Sequence, residues 1–338
     1  MQQGDESLPL TLTRMVRAYE LSQVIHVVAK LGIADRLLEG ARASDDLAAE
    51  AGVHPGALYR LLRAAAAGGI LHEDDERRFS LTPLGDLLRR DAVGSVAGIA
   101  EFFGNEPLWR AWGGLLDSVR NGDNAFERIF GTDPWRYRAQ HPEENDAFNR
   151  AMTGMSHTTA AAVIAAYDFT PYRCVVDVGG GHGAMLAQIL QAAPESRGIL
   201  FDQPHVVTAA TALDEAGVRD RCEVVGGSFF ESVPPGGDAY ILRSVLHDWA
   251  DEHCIAILSA CRRAMSAAAR VIVLERLIGR PNEALDNKLS DLNMLVSPGG
   301  QERTAEEFDA LFAAAGLRLA AVTPTASTTN VIEAVPIA

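Results

Sequence analysis

The run Gly179-Gly180-Gly181-His182-Gly183 lies between the apolar segment Cys174–Val178 and Met185, Leu186, Ile189 and Leu190, which recur at helical spacing. Strand, glycine turn and helix form a ligand-holding unit. Glycines let the backbone approach a ligand closely and adopt positive φ, and a helix N-terminus presents free N–H groups. Gly179, Gly181 and Ala184 satisfy the dinucleotide pattern, and Asp202 stands 23 residues past Gly179, at the end of the next apolar run. A carboxylate there can accept both ribose hydroxyl hydrogen bonds. These features specify a nucleoside cofactor, either nicotinamide or adenosyl. Asp177, two residues before the first glycine, shifts the balance. It suits the zwitterionic methionyl part and sulfonium of S-adenosylmethionine better than a pyrophosphate. The plain structural alternative is a carboxylate that caps the loop amides.

The elements that must position this loop follow from periodicity. From Arg173 onward, short apolar runs alternate with helical patterns: Cys174–Val178, 198–201, 223–225, 239–242 and 271–274. This alternation predicts a parallel α/β sheet, closed by two further strands over 318–323 and 330–335. The first 95 residues read differently. Residues 12–40 give one or two helices that stop near Gly32, and a short helix follows Ser44. After a turn at 53–56, a third helix carries Leu58, Leu61 and Leu62, and Ile70–His72 with Arg78–Leu81 makes a two-strand wing. Helix, turn, helix and wing predict a winged-helix pattern. Such a fold either grips DNA or is reused for dimerisation. Residues 1–95 carry 11 basic against 14 acidic side chains, a net of −3, where a DNA-binding module is normally strongly basic. Residues 96–166 are aromatic-rich and read as helical.

Composition sets the outer bounds. The chain has 338 residues, and a prior of about 150 per domain gives two domains. Hydrophobic residues make up 48% and charged residues 22%, the mix of a globular protein. The formal charge of −15 repels phosphate backbones, so no nucleic-acid partner is expected. No apolar run is long enough to span a membrane, and the N-terminus lacks a signal-peptide core, so the expectation is no membrane partner and a cytoplasmic location. Cys174, Cys222, Cys254 and Cys261 form no C-x-x-C pair and read as reduced core residues.

The motifs Asp177–Gly183, Phe201–Pro204, Leu246-His247-Asp248-Trp249-Ala250-Asp251-Glu252 and Pro298-Gly299-Gly300-Gln301-Glu302-Arg303-Thr304 occur in this order. Together they resemble the class I S-adenosylmethionine-dependent O-methyltransferases. The likeness is to the plant caffeate-type enzymes and their bacterial natural-product relatives, and it runs over nearly the whole chain. It implies a Rossmann-like α/β methyltransferase domain with an N-terminal helical, winged-helix-type dimerisation domain, and hence a homodimer. The expected boundaries are 1–95 for dimerisation, 96–166 for a helical linker or lid over the substrate, and 167–338 for catalysis.

The resemblance also implies residue roles. Asp177, Gly179, Gly181, Asp202 and Gln203 would border the methionyl group and ribose. Ser228 stands where the family usually has an Asp on the adenine amino group, with Phe229 on the adenine face. Arg243 would stand near the cofactor, and Trp249 would wall the adenine or the substrate. The donor is already activated, so the protein has only to deprotonate and aim the acceptor. A phenol with a pKa of ~10 is ionised about one part in a thousand at neutral pH. His247, after a strand end, is the expected general base, with Glu275 and Glu302 orienting its ring. Asp248 is expected to point elsewhere, as a structural cap, with a role in the site as the alternative. Met152, Met155, Asn293 and Met294 match acceptor-lining positions, joined by Phe102, Trp109, Phe148 and His157. Such a soft apolar slot suits a planar aromatic small molecule: a polyketide, phenazine or cinnamate-like phenol. No paired-aspartate metal site is visible, so no metal is expected. The products would be a methyl ether and S-adenosylhomocysteine. The alternative is the same fold using S-adenosylmethionine in hydroxylation, decarboxylation or cyclisation.

Overall fold

The computed structural model describes residues 7–208 and 210–337, with the side chains of residues 156–158 outside the description. The chain divides into two compact units. One runs up to Trp109 and includes His141–Met155; the other comprises Arg110–Gln140 and the chain from Ser156 onward.

The first unit begins with the Leu8–Lys30 helix, which Pro9 helps to start and Gly32, at φ 61°, stops. Only its C-terminal half faces the core, through Val28 and Ala29, while Leu8, Leu12, Met15, Val16 and Tyr19 are exposed. The short strand β1 (Arg42–Ala43) leads into the Ser44–Ala51 helix. His54 then caps the Pro55–Ala67 helix by accepting the Ala57 amide through Nδ1. β2 (Leu71–Glu73) and β3 (Arg78–Leu81) pair antiparallel, and β1 adds to β3, giving the order β1-β3-β2. Helices, turn and wing therefore form as the sequence predicts. Leu47, Leu58, Leu62 and Phe79 are fully buried between them.

The second unit is built on a seven-stranded sheet. Its strands are β4 (Cys174–Val178), β5 (Arg197–Asp202), β6 (Cys222–Gly226), β7 (Ala239–Arg243), β8 (Arg270–Arg276), β9 (Leu317–Pro324) and β10 (Thr329–Pro336), in the order β6-β5-β4-β7-β8-β10-β9. β4 to β8 run parallel, and β10 and β9 add antiparallel at the edge. The two-residue period decides which face each side chain serves. Val176 and Val178 pack with Ile257, Leu258, Phe308 and Phe312 on one face. Val175 packs with Leu186, Ile189 and Leu190 on the other. Three of the four cysteines are buried and all four are free. Among the described residues no helix is long and apolar enough to cross a membrane.

Parallel strands bring their C-terminal ends to one edge. The glycine run follows β4, Asp202 ends β5, Ser228 follows β6, His247 follows β7 and Glu275 lies near the end of β8. Ligands lie outside this edge in open α/β sheets.

Candidate active site

After β4 the backbone turns sharply, with Gly179 at φ 72° and Gly181 at φ 58°, a region that favours glycine. Gly180 is required for a different reason: a Cβ there would stand 2.6 Å from both the Asp177 carboxylate and Leu200. The Gly179 and Gly180 amides donate to the Phe201 carbonyl (2.8 and 3.3 Å). Asp202 fastens the other side, its Oδ2 accepting the Gly181 amide at 2.8 Å and its Oδ1 the Gln203 amide at 2.6 Å. The loop is thus tied to the end of β5 and presents bare backbone.

Beneath it lies Asp177, only 1% exposed. Neither carboxylate oxygen has a hydrogen-bond partner among the described residues, so it does not cap the loop. Burial raises its pKa to about 7, with Arg243 pulling the other way. A buried carboxylate without a donor is costly unless something positive or hydrogen-bonding reaches it. The residues fit a cationic nucleoside cofactor on that ground.

An aromatic group flanks the loop. A Cβ on Gly179 would come within 3.5 Å of the Phe229 ring, so Phe229 stands beside the glycine turn. Trp249 meets Phe229 edge-on at 6.2 Å and Phe230 at 4.9 Å, and stacks on Trp135 at 6.3 Å. Ser228 Oγ accepts the Phe230 amide at 3.4 Å.

His247 sits on a one-turn 3-10 helix, Leu246–Asp248, reached from β7 through Ser244 at φ 51°. Its side chain is nearly buried. Glu302 Oε1 lies 3.1 Å from Nδ1 and Glu275 Oε2 lies 3.4 Å from it. The two glutamates have different surroundings. Glu275 Oε1 accepts the amides of Val245 (2.9 Å) and Leu246 (3.1 Å), so it anchors the backbone of the turn. Glu302 Oε1 accepts the Ser290 hydroxyl at 2.6 Å, and the Glu302 amide donates to Asp291 at 2.9 Å. Arg276 Nη1 stands 3.9 Å from the same carboxylate.

Asp248 is half-buried beside the imidazole, with Oδ1 3.6 Å from Nε2, and it caps nothing. The expectation that it points away is corrected here. Burial disfavours the charged imidazole, but Glu275, Asp248 and Glu302 overcome it and raise the His247 pKa to about 10. Burial raises Glu275 to about 7, partly relieved by His247. Glu302 is held below its usual value: the His247 hydrogen bond and charge, Ser290 and Arg276 outweigh its burial. His247, Glu275 and Glu302 offer atoms within 4.8 Å of one another, a spacing that could also hold a metal ion. Glu275 Oε1 is engaged with amides and Glu302 Oε1 with a hydroxyl, while Glu302 Oε2 is buried without a hydrogen-bond partner among the described residues.

The remaining expected residues fall in both units. In the first, Phe102 is buried edge-on against Phe148 at 5.4 Å, Trp109 is exposed beside Tyr19, and Met152 and Met155 are half-buried. In the second, Met294 is buried, and Asn293 Oδ1 accepts the Trp112 indole N–H at 3.0 Å. The His157 side chain lies outside the described residues. Sequence reasoning missed Ser290, Asp291 and Arg276, and held a site role for Asp248 only as an alternative, on its adjacency to His247 at a strand end.

Residues 112–318 match the family model described as the O-methyltransferase domain, and residues 13–91 match the O-methyltransferase dimerisation domain. The chain is similar to phenazine O-methyltransferase PhzM of Lysobacter antibioticus, at 46% identity over 335 residues, covering 99% of this chain and 98% of that protein. Its fold is similar to the crystal structure of LaPhzM, with a TM-score of 0.95 and 45% identity over 98% of this chain and all of the other. It is also similar to NcsB1, an O-methyltransferase from neocarzinostatin biosynthesis solved with S-adenosylmethionine and 2-hydroxy-5-methyl naphthoic acid. That match has a TM-score of 0.80 and 31% identity, covering 94% of this chain and 96% of the other.

Proposed function

This chain belongs to the S-adenosylmethionine-dependent O-methyltransferases, and from that premise we propose that it methylates a hydroxyl of a planar, fused-ring aromatic molecule with His247 as general base. The observation that carries the base assignment is the 3.1 Å contact between His247 Nδ1 and Glu302. With the Nδ1 hydrogen committed to a carboxylate, the neutral ring keeps Nε2 as its proton acceptor. Glu302 and Glu275 then hold the charge that forms on the ring. The bound cofactor supplies an activated, positively charged methyl donor. Gly179, Gly181, Asp202 and Gln203 would hold it, with Asp177 giving its cation a counter-charge, Arg243 near it, and Phe229, Trp249 and Ser228 bordering its base.

The acceptor class rests on two supports. Flat rings suit the methionines and aromatics named above, and a phenazine and a naphthoic acid are named with the relatives. The match to a dimerisation domain supports a homodimer in which the exposed apolar half of the Leu8–Lys30 helix is covered. In this reading His247 itself takes the acceptor's proton, and no metal is part of the proposal.

A panel of hydroxyphenazines and hydroxynaphthoates, followed by mass spectrometry for the methyl ether and S-adenosylhomocysteine, tests the reaction. His247→Ala should cost about 10²- to 10⁴-fold in kcat while cofactor binding persists. Full activity in that variant would remove the base assignment, and activity abolished by chelator and restored by a divalent ion would remove metal independence.

A further inference from the structure

The turn that carries His247 makes few hydrogen bonds of its own. Within it, the Asp248 amide donates to Val245 and the Trp249 amide to Leu246, both at 3.2 Å. The rest of its position comes from outside. Its leading amides go to Glu275. Its carbonyls go to Arg303, which is 1% exposed and among the largest fully buried side chains. Arg303 Nη1 donates to the Leu246 carbonyl at 3.0 Å, and Nη2 donates to the Trp249 carbonyl at 2.8 Å. Those carbonyls flank His247 on both sides.

The guanidinium is itself fixed. Asp251 Oδ1 accepts from Nη2 at 2.7 Å and from Nε at 3.1 Å. The Arg303 carbonyl accepts the Ile278 amide at 3.0 Å, just past Glu275 on the chain, and Arg303 directly follows Glu302. One residue thus touches the backbone that carries all three members of the cluster. A planar fork with five donors in fixed directions can do this; an ammonium cannot. Gly300 shows how closely the two segments lie, because a Cβ there would run into the His247 carbonyl.

We infer that Arg303 is a positioning residue for the general base, its guanidinium setting where the imidazole stands by holding the carbonyls on either side of it. This deepens the reading of His247 as the base and rests on it.

The test uses full-length Arg303→Lys, Arg303→Ala and Asp251→Asn proteins. Histidine-labelled samples are titrated by NMR, with the His247 signal identified by its loss in His247→Gln. In the native protein that signal should titrate well above the ordinary imidazole value. In Arg303→Lys the ring drifts from its carboxylates, so its proton affinity should fall by about tenfold or more. With a hydroxyphenazine acceptor, kcat should drop by about 10²-fold and KM should change little, as expected for a misplaced catalytic group. Asp251→Asn, which loosens the fork without removing it, should shift both readings in the same direction by less. If Arg303→Ala does not fold, the lysine variant carries the test. A folded Arg303→Lys protein with an unmoved His247 titration and native kcat overturns the inference. So does a lower melting temperature with both readings unmoved, which would make Arg303 a stabiliser only. Failure of the base reading looks different: His247→Gln stays active.

Discussion

His247 meets carboxylates on both ring nitrogens, and they differ in origin and effect. Glu302 accepts from Nδ1 and is held ionised by Ser290 and Arg276; Glu275 anchors the turn; Asp248 faces Nε2. With its pKa raised to about 10, the ring carries a proton at neutral pH in the cofactor-free protein. A base must be neutral to act, so the rate should climb as pH rises toward that value. Glu302→Gln removes a negative charge that favours the imidazolium, so its pKa falls. The rising limb of kcat should then move to lower pH, with a lower plateau; a pH–rate profile of both proteins checks this. Asp177 poses the opposite problem. Its folded pKa of about 7 exceeds the unfolded value of 3.8, so stability is lost as pH rises from about 4 through 7. Asp177→Asn removes that penalty. Above pH 7 the cofactor-free variant should be more stable by about 1–3 kcal/mol, a gain that vanishes below pH 4 and is readable by calorimetry. The same variant should bind S-adenosylmethionine more weakly; unchanged affinity would mean that the carboxylate does not serve the cofactor.

At the scale of elements, catalysis depends on strand ends and the tight turns that follow them. The β4 turn works because Gly180 leaves room for the Asp177 carboxylate and Leu200 beneath it. Gly180→Ala forces a methyl into that space. It should cost about 1–3 kcal/mol of stability and weaken cofactor binding, while His247 titrates as before. Thermal melts, calorimetry and the NMR titration separate these outcomes. A disturbed His247 signal would mean that the two turns are coupled more tightly than their separate anchors suggest. The β7 turn shows why adjacency in sequence misleads: His247 and Asp248 are neighbours on one 3-10 turn, yet Asp248 Oδ1 lies 3.6 Å from the imidazole Nε2.

At the scale of the whole molecule, the dimerisation-domain match supports a homodimer, and the exposed apolar half of the Leu8–Lys30 helix is the face proposed to be buried in it. Leu12 and Val16 are exposed on it, 62% and 67% accessible. An exposed apolar patch of this kind on a protein of net charge −15 is the expected trace of an interface. Leu12→Asp with Val16→Asp should convert the dimer to a monomer, measurable by light scattering, without unfolding the sheet. A native-mass dimer in that variant would place the interface elsewhere.

The order of strands and helices and the glycine turn were legible in the chain, whereas His247, Glu275 and Glu302 were singled out through the family resemblance. Periodicity, glycine and local motif order are local properties that survive without knowing what packs against what. Two things were not legible: the partners that set the electrostatics, and the division of labour between the glutamates. Ser290, Arg276 and Arg303 reach the cluster from helix, strand and loop, and Asp177 lost its capping role only once the glycine amides paired with Phe201 and Asp202. Proton affinity depends on distances of a few ångströms between groups far apart in sequence, so only the tertiary structure could decide it.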